Sequence, residues 1–92
     1  MVIPMTLSEL HKYADSLIAN RGQTHGDLED TFRNMAARMS LTLGMQVSPS
    51  QASRLMVDMK MARWDSGGYN LDHAVDGANY LLISAALELN KI

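Results

Sequence analysis

Four charged residues stand where helical periodicity turns them toward the interior: Lys60 and Arg63 in one amphipathic segment, Asp72 and Asp76 in the next. Arg63 falls among Ala52, Met56 and Met59, inside an apolar stripe, with Lys60 at its edge. A guanidinium keeps its charge under ordinary conditions. Buried, it requires carboxylate partners, because an unpaired buried charge costs several kcal/mol. The two segments are joined by a short loop and should pack antiparallel, which makes Asp72 and Asp76 the partners. Asp72, Asp76 and Asn79 form a line at i, i+4 and i+7 that runs on into Ile83 and Leu87, so they read as a half-buried polar pocket. Two acids one turn apart can hold Mg²⁺ through carboxylate oxygens and retained water. An adjacent Lys–Arg pair can hold the phosphates of a nucleotide. The same four residues also suit a purely structural lock that fixes helix register, and Asp72 in a first turn complements the helix dipole. Spacing alone leaves both readings open.

A second candidate is Thr24-His25-Gly26-Asp27 at the start of a helix. Backbone N–H groups there can hold an anion, and His25 can donate to it or act as a general acid or base. Gly26 and Asp27 are equally ordinary turn and capping residues. His11 lies beside an apolar stripe and reads as a packed residue, whereas His73 falls on the expected solvent face. Trp64 lies off the main stripe, where it would cover a loop, a dimer partner or a ligand. Gly67-Gly68 lacks the lysine and hydroxyl of a phosphate loop.

Four helical patterns must position these groups. Thr6-Leu7-Ser8-Glu9 is a capping box, followed by Leu7, Leu10, Ala14, Leu17 and Ile18 at helical spacing. Residues 20–26, with two glycines, read as a loop. Asp27 caps a second helix with the stripe Leu28, Phe32, Met35, Met39 and Leu43, ending at Gly44. Ser48-Pro49-Ser50-Gln51 starts a third, with serine as N-cap, proline in the first turn and glutamine closing the box. Asp65 to Tyr69 is a turn, and Asn70 caps the last helix. Its apolar stripe is Leu71, Val75, Ala78, Leu82, Ala85 and Leu89, with His73, Gly77, Ser84, Glu88 and Lys91 opposite. The expected helices are about 7–19, 28–43, 49–64 and 71–89 within one domain, 1–92. Short connections and the absence of period-two alternation predict an all-α, four-helix bundle-like fold.

Composition bounds what such a domain does. A chain of 92 residues is one domain, and domains this small often hide residual apolar surface by oligomerising. Aromatics make up 5% and methionine contributes eight residues, so flexible aliphatic and thioether side chains should fill the core. A net charge of −2 leaves no basic surplus for broad nucleic-acid binding. The absence of cysteine excludes disulfides and thiolate chemistry and suits a reducing cytoplasm. No apolar run approaches the roughly 20 residues that span a bilayer, and the start lacks the pattern of a signal peptide. The expectation is a cytoplasmic protein with no membrane partner.

The string Asn20-Arg21-Gly22-Gln23-Thr24-His25-Gly26-Asp27, with Phe32 and Met35, then Lys60 with Arg63, then Asp72 with Asp76, Asn79 and Tyr80, resembles a family of small helical proteins from tailed phages and prophages. Asp76-Gly77-Ala78-Asn79-Tyr80 also looks like the end of a nucleotide-modification-associated phage domain. Both groups are similar, by analogy, to MazG-like all-α nucleotide pyrophosphatases, which bind Mg²⁺ through acidic helices and commonly dimerise. The resemblance covers about residues 14–86. It implies a phage-type accessory protein, in the host cytoplasm, that binds, or binds and hydrolyses, a nucleotide or other phosphate ligand. Lys60, Arg63, Asn79 and Tyr80 would contact the ligand, Asp72 and Asp76 would hold Mg²⁺, and His25 would be the acid or base. A homodimer is expected. The chain departs from the pyrophosphatase pattern on its second helix, where Glu29, Asp30 and Arg33 lie on the solvent side instead of an inward Glu-x-x-Glu. Small size, few catalytic groups and the off-stripe Trp64, Tyr69 and Tyr80 support a different class: a non-enzymatic interaction protein, such as a phage inhibitor of a host defence complex.

Overall fold

The computed structural model describes residues 5–24 and 27–89, with side chains at 5–20 and 27–89. Four α-helices follow one another, α1 Leu7–Thr24, α2 Leu28–Leu43, α3 Pro49–Gly67 and α4 Leu71–Leu89. No strand occurs among the described residues, and the fold is an all-α, four-helix, bundle-like domain. Each helix begins where the sequence places a cap. The Thr6 hydroxyl accepts from Glu9 N–H at 3.1 Å while Glu9 accepts from Thr6 N–H at 3.2 Å. Asp27 accepts from Asp30 N–H, Ser48 and Gln51 complete a reciprocal box behind Pro49, and Asn70 Oδ1 accepts from Asp72 N–H. Such caps contribute about 1 kcal/mol each. α2 stops at Gly44, whose φ of 67° lies in the left-handed region that L side chains avoid.

Two boundaries differ from expectation. α1 runs on through residues 20–24, expected to be loop, because a single glycine inside a helical run costs only about 1 kcal/mol. α3 likewise continues to Gly67, three residues past the predicted end.

The core gathers Phe32, Ala36, Val47, Ala52 and Ile83, with Ile18, Met35, Met39, Met56, Tyr80 and Leu87 packed against it. α2 and α3 form a hairpin sealed by Ser40, whose hydroxyl accepts Val47 N–H at 2.9 Å and donates to Ala36 O at 2.7 Å. The Phe32 and Tyr80 rings meet edge to face at 6.1 Å, joining α2 to α4.

α3 and α4 pack antiparallel through small and polar residues. Ser50 meets Ser84 (hydroxyl to hydroxyl, 2.6 Å), Ser53 donates to Tyr80 O at 2.6 Å, and Lys60 meets Asp76. A Cβ built on Gly77 would lie 3.1 Å from Met61 Cε and 3.8 Å from Lys60 Cβ. This overturns the expected orientation of α4. Gly77 and Ser84, assigned to solvent, are buried, while Ala78, Leu82, Ala85 and Leu89, assigned to the core, are exposed. Small residues admit the neighbouring helix closely, and their hydroxyls bond across the seam, so the tight contact forms on the less apolar side of α4.

Candidate functional site

The site is built where the end of α3 runs beside the start of α4. Lys60 Nζ lies 3.0 Å from Asp76 Oδ2, and the two side chains are 12% and 10% exposed. Continuing the antiparallel register outward by one turn brings Arg63 level with Asp72. Both of these side chains are exposed, and no ion pair joins them within 4 Å. The expected inward cluster of four is therefore an inner, sealed pair below an outer, open one.

The correction for Arg63 has a simple cause. Residues 62–70 are all exposed, so α3 projects past its neighbours there. Helical phase gives the direction of a side chain but not whether another element reaches that height. Asp72 shares the projecting end, and its Oδ1 accepts from Tyr13 Oη at a long 3.4 Å. Tyr13 was not among the sequence candidates. It sits on the polar edge of α1, where nothing in its spacing marks it.

Asn79 is 2% exposed and donates from Nδ2 to Ala14 O at 3.0 Å. It thus ties α1 to α4 from inside the domain. Tyr80 is half-buried on Phe32, and its carbonyl is engaged by Ser53. Neither side chain faces the open end that Arg63 and Asp72 share. His73, expected in solvent, is half-buried, and its Nδ1 is sealed from water without a hydrogen-bond partner. His11, expected to be packed, is exposed. Trp64 meets Tyr69 edge to face at 5.5 Å and so covers the α3–α4 loop. His25 lies outside the described residues, as do the side chains of residues 21–24 in the same motif.

As a cation site this arrangement is sparse. Among the described residues no three histidine or acidic groups come together. A metal approaching Asp76 would compete with the Lys60 ammonium, which leaves Asp72 and Asp65, both exposed, as the carboxylates at this end. On α2, Glu29 accepts from Arg33 at 2.6 Å, and Asp30 and Arg33 are exposed, as the departure from the Glu-x-x-Glu pattern led us to expect. Among the described residues no helix is long and apolar enough to cross a membrane.

An all-α domain with a charged pair sealed between its last two helices is the class that fold and site define. Within it, the chain belongs to the family described as Domain of unknown function (DUF6378), whose model matches residues 9–88. The match takes in all four helices, including Lys60, Arg63, Asp72 and Asp76. No curated protein and no solved structure matches the chain.

Proposed function

We propose that this domain is a phage-type accessory protein that binds a phosphate-bearing ligand, a nucleotide by class, at the projecting end of α3 and α4. The observation that carries this reading is the stacking of the open Arg63–Asp72 level one turn above the sealed Lys60–Asp76 pair. A structural lock needs the inner pair alone. Arg63 adds a permanent, solvent-facing fork of donors that suits a phosphate. Asp72 offers a carboxylate to a Mg²⁺ that keeps most of its water and bridges to the same phosphate. Lys60, neutralised by Asp76, holds α3 against α4 beneath them. The inventory supports binding; turnover would need a further base, and His25 is the candidate that the sequence offers.

Thermal-shift measurement with nucleoside triphosphates and cyclic nucleotides, with and without Mg²⁺, tests this, because a ligand that binds the folded state raises the melting temperature. At least one nucleotide should stabilise the wild-type protein and fail to stabilise Arg63→Ala. A wild-type melting temperature unmoved across the panel would sink the proposal.

A second reading, a non-enzymatic protein that acts on a host complex through its surface, is favoured by a different observation. Leu41, Leu43, Met45, Leu81 and Leu82 are all more than half exposed, and large exposed apolar patches mark interaction sites. In that case Arg63→Ala would leave partner capture intact.

A further inference from the structure

The exposed leucines of α4 belong to a continuous surface. One hollow of about 310 Å³ is lined by Leu43, Met45 and Leu55, and a second of about 330 Å³ by Leu81, Leu82 and Ala85. Arg54 borders both and stands as the ridge between them. At 61% and 54% exposed, Leu82 and Leu81 are open to water along the middle of a helix. Asp58 lines the first hollow and Glu88 the second.

We infer that this α3–α4 face is where two copies of the chain join, through a two-fold interface centred on Arg54, Leu81 and Leu82. Charge selects a second copy as the occupant of this apolar face, for Arg54, Asp58 and Glu88 are all exposed beside its open leucines. A two-fold interface places the same patch against itself, so it must be self-complementary. This patch carries both signs, with Arg54 at the ridge and an acid beside each hollow, so the Arg54 of one copy has a carboxylate to meet on the other.

The inference is independent of the phosphate-site proposal, since Arg54 and Leu82 take no part in that site. Light scattering on the purified full chain at about 100 µM, where a weak dimer is populated by mass action, should give twice the 10.2 kDa chain mass. Leu82→Glu should return it to the single-chain mass with its helical circular dichroism retained, while Arg63→Ala stays doubled. The chain has no cysteine, so Leu82→Cys introduces a single thiol, and a short bismaleimide should then link two chains whether or not the glutamate variant folds. A wild-type protein of single-chain mass overturns the inference and leaves the face to a different protein. A folded Leu82→Glu variant that is still doubled, or a doubled Leu82→Cys protein that does not cross-link, also overturns it by placing the interface elsewhere.

Discussion

Lys60 and Asp76 meet at 3.0 Å across α3 and α4 with both side chains almost wholly withdrawn from water, and Gly77, the next residue on α4, leaves room there for Met61 Cε and the stem of Lys60. The two facts are one arrangement. Without a side chain at 77, α4 approaches the Lys60 stem, and that approach seals the ion pair. Breaking a buried pair by removing one partner costs about 3–5 kcal/mol, since the remaining charge loses that partner. Asp76→Asn and Lys60→Met should each destabilise on this scale in urea denaturation. The double variant should cost less than the two single losses combined, with a coupling of about 1–3 kcal/mol.

Position 77 separates packing from propensity. Gly77→Ala gains about 1 kcal/mol of helix propensity and must displace Met61 Cε, the far end of a flexible side chain, by a few tenths of an ångström from 3.1 Å. Its stability should stay within about 1 kcal/mol of wild type. Gly77→Leu has no such escape. It would push α4 off α3, open the Lys60–Asp76 pair and cost about 1–3 kcal/mol or more from overpacking alone. Thermal melts of the two variants should therefore diverge sharply.

The buried hydroxyls of Ser50 and Ser84 lie 2.6 Å apart, and each is also within reach of the other residue's carbonyl, at 3.1 Å for Ser50 Oγ to Ser84 O and 2.9 Å for Ser84 Oγ to Ser50 O; with one proton apiece, one hydroxyl donates to the other, which donates to a carbonyl. Removing one hydroxyl leaves its partner under-satisfied in a dry contact, at about 1–3 kcal/mol, while removing both is closer to neutral. Ser50→Ala and Ser84→Ala should thus be strongly non-additive, with the double variant no less stable than the worse single one. Additive losses in denaturant titration would show that the two hydroxyls act separately.

These contacts also explain what the sequence could and could not disclose. Caps were legible because Thr6, Asp27, Ser48 and Asn70 act on residues two or three positions away, within reach of local chemistry. Of the line Asp72–Asp76–Asn79–Ile83, the last three were legible because helical phase is a property of one helix, and all three are buried, whereas Asp72 is exposed. The seam was not, because Gly77 and Ser84 look like surface residues until α3 supplies Met61 and Ser50. Arg63 failed for the complementary reason: its direction is inward by phase, but burial ends before it on α3. Leu82 was assigned to the core as part of the apolar stripe of α4, and it stands 61% exposed because α3 packs on another side of that helix.

Asn79 offers a test of how α1 is held. Its side chain donates to Ala14 O at 3.0 Å from a nearly dry position, while the link from Tyr13 to Asp72 is long and exposed. Replacing Asn79 by leucine should cost about 1–3 kcal/mol and loosen α1 more than the α3–α4 seam. Amide exchange should then speed up across residues 10–18 before it does so across 50–60. Uniform acceleration along the chain would mean that α1 docking and the seam form a single cooperative unit.

Arg63 should behave in the opposite way to Lys60. It is exposed and outside any ion pair within 4 Å, so Arg63→Ala should change stability by no more than about 0.5 kcal/mol. Lys60→Met should lower it substantially through the buried pair. If the open level is where phosphate binds, the nucleotide-induced rise in melting temperature should disappear in Arg63→Ala and shrink as salt is raised in the wild type, because exposed charge–phosphate contacts are screened. Arg63→Lys keeps the charge but loses the planar fork, and should restore only part of the response. An Arg63→Ala protein that responds to the nucleotide as the wild type does would remove Arg63 from the ligand's reach and leave the Lys60–Asp76 pair as a lock between two helices.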